Sequence, residues 1–249
     1  MPKLFKKVLW GNRERWGLTP NEQDSHWKEW QNYSTEFYME NQRSGIGSVV
    51  NDAGYTVMQK IDLSGKKVLE LGAGDIQHIK HWKGVPSQYI LADISESMMQ
   101  LAKKRLDEKN IEYRTLIIKR HQNLTIDEES IDVIISFYSL EHLYPLMPKL
   151  EEYYKLLSPG GILIGAVPAE GGMAWGFGRM LTSRRWLKKN TSIDPDKIIC
   201  WEHPNFSDHI IEKLDNVFQR ENVTSWPFPF CPLIDINLIF KFLYFKPVK

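Results

Sequence analysis

Two glycines at the end of a short apolar run, with one acid before them and another at the end of the next run, give this chain its clearest chemical feature. The run Val68-Leu69-Glu70-Leu71-Gly72-Ala73-Gly74-Asp75 puts Gly72 and Gly74 where an extended segment turns. Glycine at such a turn lets the backbone approach a ligand closely and take dihedrals closed to other residues. The loop alone is shared by dinucleotide-binding chains. Here, however, Gln77 stands where a dinucleotide fingerprint has its third glycine, and Glu70 would repel a pyrophosphate. Asp93 closes the following run, where a carboxylate can accept hydrogen bonds from both hydroxyls of a ribose. Acid on both sides of the loop suits a cationic, phosphate-free nucleoside.

Other residues able to do chemistry lie downstream. Glu141-His142 opens the segment after a fourth apolar run, on the edge of an open α/β sheet that faces the ligand crevice. His142 there can act as a general base; alternatively Glu141 and His142 hold the loop through hydrogen bonds to the backbone. Glu170, between Pro168-Ala169 and Gly171-Gly172, reads as substrate-facing, or else as a loop acid capping the next segment. From Gly176 to Lys189, Arg179, Arg184, Arg185, Lys188 and Lys189 interleave with Trp186 and follow Trp175. Arginine forks suit a carboxylate or phosphate and tryptophan faces suit a sugar ring; the alternative is a solvated amphipathic helix. The run Cys200-Trp201-Glu202-His203-Pro204-Asn205-Phe206 is dense in polar and aromatic residues without periodicity, which suggests a lid, with His203 a second candidate base.

The elements that must position these residues follow from periodicity. Lys67–Leu71, Tyr89–Asp93, Tyr113–Ile118, Ile131–Ser136 and Ile162–Val167 read as strands. Ser95 caps a helix carrying Met98, Leu101, Ala102 and Leu106, and a second helix over Met147–Leu157 stops at Ser158-Pro159-Gly160-Gly161. Strands alternating with helices imply a doubly wound, mostly parallel α/β sheet. Ile236, Leu238, Phe240, Phe242 and Tyr244 alternate as an antiparallel C-terminal strand does. Eight of the nine tryptophans lie outside residues 60–168, leaving only Trp82 inside. The flanks therefore read as a helical, aromatic cap, in which Trp27, Trp30 and Tyr33 share one helical face. The expected division is an N-terminal cap over 1–60, a core over 61–168, a cap insertion over 169–213 and C-terminal strands over 214–249.

Composition narrows the class further. The chain has 249 residues, 42% hydrophobic and 25% charged, a soluble globular profile. Thirty-two basic residues against thirty-one acidic leave a charge of +1, which gives no global reason to expect nucleic-acid binding. Cys200 and Cys231 are too few for a disulfide framework or a cysteine-built zinc site, and read as buried thiols in a reducing cytoplasm. Residues Met1–Trp10 lack the apolar run of a signal peptide. The most apolar stretch, Leu233–Phe245, is interrupted by Asp235, Asn237 and Lys241, so no membrane span is expected.

Four motifs in order make residues 66–168 resemble the class I S-adenosylmethionine-dependent methyltransferases. Glu70-Leu71-Gly72-Ala73-Gly74 is similar to the first motif and Asp93 to the ribose-binding acid. Ile131-Asp132-Val133-Ile134-Ile135-Ser136-Phe137-Tyr138-Ser139-Leu140-Glu141-His142-Leu143 matches the fourth-strand motif, and Leu156-Leu157-Ser158-Pro159-Gly160-Gly161 the turn before strand five. The resemblance implies a seven-stranded sheet and S-adenosylmethionine as cofactor. It implies cofactor contacts from Glu70, Gly72, Ala73, Gly74, Asp93, Ile94, Met98, His121, Gln122 and Phe137. Acceptor contacts are expected from Tyr138, Glu141, Trp175, Arg179, Arg184 and Arg185, and catalysis from His142, Glu170 and His203. The chain departs from the family in two places. Ile76 replaces a frequent third glycine, and no acid occupies positions 120 or 121 for the adenine amino group. Relatives that bind a divalent ion have a companion acid where Tyr138 stands, so no metal is expected. The acceptor implied is a small molecule or glycan, a sugar hydroxyl in surface-polysaccharide or secondary metabolism, acidic if the arginines bind it. A quinone or lipid-like aromatic is the rival acceptor. A nucleoside-binding regulatory module without catalysis, or a nicotinamide oxidoreductase, are the rival classes. The oligomeric state is left open.

Overall fold

The computed structural model describes residues 3–41, 45–119, 122–229 and 234–248, and of residues 3–6, 35, 36, 38–41, 45, 46 and 234 the backbone alone. Its strands are β1 (Lys67–Leu71), β2 (Gln88–Asp93), β3 (Tyr113–Ile117), β4 (Ile131–Phe137), β5 (Leu157–Pro168), β6 (Val223–Phe228) and β7 (Ile239–Phe245). They form one sheet in the order β3-β2-β1-β4-β5-β7-β6. The first five strands run parallel, and β7 is antiparallel to both of its neighbours. This is the expected doubly wound α/β sheet with an antiparallel C-terminal strand. Alternate residues feed two separate cores: Val68, Tyr89, Leu91, Val133, Ile135 and Ile164 on one face, Leu69, Ile90, Ile134, Leu163, Phe242 and Tyr244 on the other. Strands covered on both faces are apolar at nearly every position, which is why these runs were legible.

The helices are α1 (Lys3–Trp10), α2 (Arg13–Trp16), α3 (Ser25–Asn41), α4 (Gly45–Tyr55) and α5 (Glu96–Asp107). The second half adds α6 (Leu146–Leu156), α7 (Met173–Leu181), α8 (Ser183–Asn190), α9 (Pro195–Glu202) and α10 (Ser207–Phe218). Ser95 caps α5 by accepting from the Met98 N–H at 3.4 Å. The buried face of α5 is Met99, Ala102 and Leu106; Leu101 is exposed and Met98 half-buried, so the face sits one residue from that expected. Ser158-Pro159-Gly160-Gly161 is not a separate turn but is drawn into β5, with a register shift between Ile131 and Val133. No helix among the described residues is long and apolar enough to cross a membrane.

The cap joins the N-terminal helices to the segment that follows β5. Trp27 and Trp30 of α3 pack with Leu187, Ile193, Ile198 and Trp201, and Trp27 meets Trp201 edge-on at 6.1 Å. The stripe Trp27-Trp30-Tyr33 is thus a packing face, its third ring 6.5 Å from Trp186. Arg184, expected at the acceptor, is buried: it donates to Asp196 at 2.5 Å and to the Leu9 carbonyl at 3.2 Å, tying α8 to α9 and α1. Cys200 is buried against the Trp10 carbonyl, and Cys231 lies outside the described residues. α10 belongs to the sheet layer, because Ile210, Leu214 and Phe218 pack in the core beside α6. Val57 and Met58, placed with the N-terminal cap, likewise join the sheet core.

A Cβ on Gly165 of β5 would lie 1.7 Å from the Ser136 carbonyl oxygen of β4, where backbone cannot give way. Gly165→Ala is expected to cost about 3 kcal/mol through overpacking, read as a lower urea midpoint at unchanged slope. An unchanged midpoint would mean that β4 and β5 are not this close.

Candidate active site

Strand order reverses between β1 and β4, and the crevice outside the carboxyl ends of those strands is where open α/β sheets take ligands. Gly72 (φ +65°) and Gly74 (φ +50°) both take left-handed backbone dihedrals there. A Cβ on Gly72 would lie 2.6 Å from Cβ of Ser139. Ser139 in turn donates to the Leu71 carbonyl at 3.0 Å, so the β1 loop and the turn after β4 are locked together. Ile76 has φ +45°, so the backbone keeps the shape of a third glycine without the residue. A branched side chain in that region costs about 1–3 kcal/mol, and full burial of the Ile76 side chain offsets it.

Asp93 is 6% exposed and accepts from the Gly74 N–H at 3.1 Å and the Ser95 N–H at 2.8 Å. Burial pushes its carboxyl above the usual range, opposed by those N–H groups and, across the crevice, by His142. Ile94 beside it is 72% exposed and Met98 half-buried, an apolar ledge next to a carboxylate. The glycine turn, the carboxylate and the ledge fit a nucleoside such as that of S-adenosylmethionine. Ala73 is buried and offers its backbone; Phe137 lines the wall against His78 and Tyr55, its ring 4.8 and 5.0 Å from theirs. Gln122 is exposed, and His121 lies outside the described residues.

Glu70 does not face the crevice, contrary to expectation. It is 1% exposed and bonded to the Tyr89 hydroxyl and, at 2.6 Å, to Nε2 of His78. Trp82 donates to Nδ1 of His78 at 2.9 Å, which leaves the His78 proton on Nε2, directed at Glu70. Both carboxylate oxygens are engaged, so Glu70 braces the loop from below.

The far side of the crevice carries two Glu-His pairs, Glu141-His142 and Glu202-His203. Nδ1 of His142 lies 2.5 Å from the Glu202 carbonyl oxygen and 3.4 Å from its carboxylate, and its ring centre is 4.5 Å from that of His203. Burial alone would lower the His142 pKa, but the bond to Glu202 and the charges of Glu141 and Glu202 push it up to about 9. Glu202, which also accepts from Nε1 of Trp30 at 2.7 Å, is held at about 2 by His142 despite its burial. Glu141 is 2% exposed, and burial raises its carboxyl to about 7. His203 is lowered to about 4 by burial and by Arg179. Asn205 holds the arrangement in place. Buried between α9 and α10, it donates to the Leu140 carbonyl at 3.2 Å and the Leu143 carbonyl at 2.5 Å.

Glu170, expected to be catalytic, is instead an enclosed ion-pair partner. It is 1% exposed and takes the Arg179 guanidinium, Nε1 of Trp175 at 3.1 Å and Nδ1 of His203 at 3.0 Å. Burial would raise its carboxyl, but Arg179 and His203 hold it at about 2. Arg179 and Trp175 are therefore spent on Glu170, and only Arg185 of the expected arginines is exposed. Tyr138 (φ +53°) donates to the Asn51 carbonyl at 3.1 Å and staples α4 to the end of β4. Glu202, Asn205, His78 and Tyr89 were not singled out from sequence. The repeated Glu-His dipeptide was the one signal that could have found Glu202.

Residues 69–165 match the family model described as a methyltransferase domain, a span that holds the glycine loop, Asp93 and Glu141-His142 but not the cap. The chain is 32% identical over 111 residues to the phthiotriol/phenolphthiotriol dimycocerosates methyltransferase of Mycobacterium leprae, covering 42% of this chain and 38% of that one. It is 30% identical over 115 residues to the demethylmenaquinone methyltransferase of Lactococcus lactis, covering 44% of each. The match thus spans about two-fifths of the length of these curated relatives. Among solved structures, an S-adenosylmethionine dependent methyltransferase from Mesorhizobium loti has the same fold, with TM-score 0.52 and 16% identity over 80% of this chain and 97% of that one.

Because the Glu170 carboxyl is depressed from 4.5 to about 2, the stability it carries is complete above pH 5 and is lost as pH falls towards 2. Up to about 3 kcal/mol is expected to disappear across that window. Urea unfolding at pH 7, 5 and 3 should show a shallower acid limb for Glu170→Gln than for the unaltered chain. Superimposable limbs would remove this ion pair from the stability of the cap.

Proposed function

We propose that the protein transfers a methyl group from S-adenosylmethionine to a small-molecule acceptor held beneath the cap. The observation that carries this reading is the Gly72–Gly74 turn anchored on Asp93 at the sheet's switch point, inside the span that matches the methyltransferase domain. When bound, S-adenosylmethionine supplies a methyl group already activated on a sulfonium. The chain's part is to hold it, orient the acceptor in line and keep water out. Asp93 has acceptor capacity beyond its two N–H partners for the ribose hydroxyls, and Ile94 and Met98 give the base an apolar seat. Backbone at Gly72, Ala73 and Gly74 approaches the ligand where side chains would intrude. Across the crevice His142, 39% exposed, and the half-buried His203 meet the acceptor; Glu202 stands behind His142 and Glu170 behind His203.

The acceptor we favour is an apolar molecule bearing a hydroxyl or a quinone-type ring. With Arg179 and Arg184 paired internally, an acidic sugar loses most of the cations that would have recognised it. α7, which follows the Glu170 loop, leaves Met173, Phe177, Met180 and Leu181 exposed. The similar relatives are named for phthiotriol/phenolphthiotriol dimycocerosates and for demethylmenaquinone, acceptors of that apolar kind. A neutral glycan hydroxyl is the second reading, carried by the half-buried ring of Trp175, a face of the kind that suits a sugar ring.

Calorimetry should show S-adenosylhomocysteine binding to the unaltered chain, weakened by about 1.5–3 kcal/mol in Asp93→Ala through loss of charge-assisted hydrogen bonds. Equal affinity in the two proteins would remove Asp93 from the site. Transfer of labelled methyl from S-adenosylmethionine into lipid and quinone extracts, but not into sugars, is the expected acceptor result; label confined to sugars would reverse the preference.

A further inference from the structure

The turn after β4 and the end of α9 bring together a group of side chains whose arrangement exceeds what loop anchoring requires. One ligand atom each from Glu141, His142 and His203 lie within 4.8 Å of one another. Oε2 of Glu141 is buried and has no hydrogen-bond partner among the described residues. A buried polar atom left unpaired is rare in a folded chain and calls for a bound species. His142 is backed through Nδ1 by Glu202, while Nδ1 of His203 lies 3.0 Å from the Glu170 carboxylate without hydrogen-bond geometry. Carboxylates and carbonyls behind the far nitrogen are the usual support of metal-binding histidines, leaving the other nitrogen free to bind. Three acids, Glu141, Glu170 and Glu202, meet two guanidiniums here, Arg179 on Glu170 and Arg13 on the His203 carbonyl, so the acids still outnumber the fixed cations.

We propose that Glu141, His142 and His203 form a site for one divalent transition-metal ion that takes an acceptor oxygen in its open position. Two imidazoles and a carboxylate suit Zn²⁺, Mn²⁺, Fe²⁺ or Co²⁺ better than Mg²⁺ or Ca²⁺. Three protein ligands with one side open is the pattern of reactive rather than structural sites, and the 39% exposure of His142 provides that side. The expectation of no metal rested on the acid missing at Tyr138; His203, from a distant segment, supplies the third donor instead. The ion's role towards the acceptor, polarising an oxygen and favouring its deprotonated form, rests on the methyl-transfer reading; the site itself does not.

The test uses the full, untagged chain, stripped with chelator, dialysed and titrated with Co²⁺ alone. Saturation at one equivalent is expected, with visible ligand-field bands that Zn²⁺ displaces. Glu141→Ala and His203→Ala should lose the bands, and Glu202→Gln should weaken binding about 10–100-fold. Circular dichroism and S-adenosylhomocysteine affinity, which depends on Asp93, should be unchanged in these variants. Absence of saturable bands in the unaltered chain would overturn the proposal. So would bands that persist after both Glu141 and His203 are replaced, since the cluster would then be a hydrogen-bond network only. Cobalt binding without S-adenosylhomocysteine binding would uphold the site and refute the methyl-transfer reading.

Discussion

A carboxylate buried as deeply as Glu170 has to be met by cations and N–H donors before the chain can close over it. Leaving such a charge unpaired costs several kcal/mol, far more than any one surface contact returns. Its partners come from separate places: Arg179 and Trp175 from α7, and His203 from the residue after α9. Ser207, at the start of α10, donates to the Glu170 main-chain carbonyl through both its N–H and its hydroxyl. One acid at the end of β5 thus gathers groups from α7, from the residue after α9 and from the start of α10. The tryptophan cluster of α3, α8 and α9 adds area to that frame, but area alone is non-directional.

The cofactor side obeys a different rule. There every contact has a backbone group on one side: the Gly72 N–H to the Ala92 carbonyl, the Gly74 N–H to the Asp93 carboxylate, and the Ser139 hydroxyl to the Leu71 carbonyl. Such a loop needs only a few residue types at fixed spacing, and Ile76 shows that even a glycine conformation can be kept by another residue when its side chain is buried. This explains why the methyltransferase match covers the core and stops short of the cap. The two halves meet where His142 lies near enough to act on the Asp93 carboxylate, so a nucleoside on one side and an acceptor on the other would share one crevice.

Rigidity on the far side of the crevice comes from ties between distant segments. Asn205 spans the carbonyls of the β4 turn, Tyr138 fastens the same turn to α4, and Ser139 fastens it to β1. Three independent ties on so few residues leave Glu141 and His142 little freedom. If an acceptor is held in line there, as proposed, that restriction helps, because a small displacement of reacting atoms is costly in rate.

The five parallel strands, the C-terminal strand, the cap on Ser95, the glycine loop and Asp93 were legible in the sequence, because each depends on residues close together in the chain, whereas β6 was not read. Periodicity reports which faces are buried, and glycine reports a dihedral that few other residues adopt. The roles of the charged residues were not legible. Glu70, Glu170, Arg179 and Arg184 looked available to ligands, and tertiary packing turned each one inward onto a partner. Glu202 and Asn205 carried no local signal beyond a repeated Glu-His dipeptide, yet they hold the acceptor side together. Whether a charge is free or spent depends on what folds against it, and those partners come from segments that the order of residues does not bring together. The sequence therefore determined the sheet and the nucleoside loop, and only the tertiary structure decided which acids and histidines remain open to chemistry.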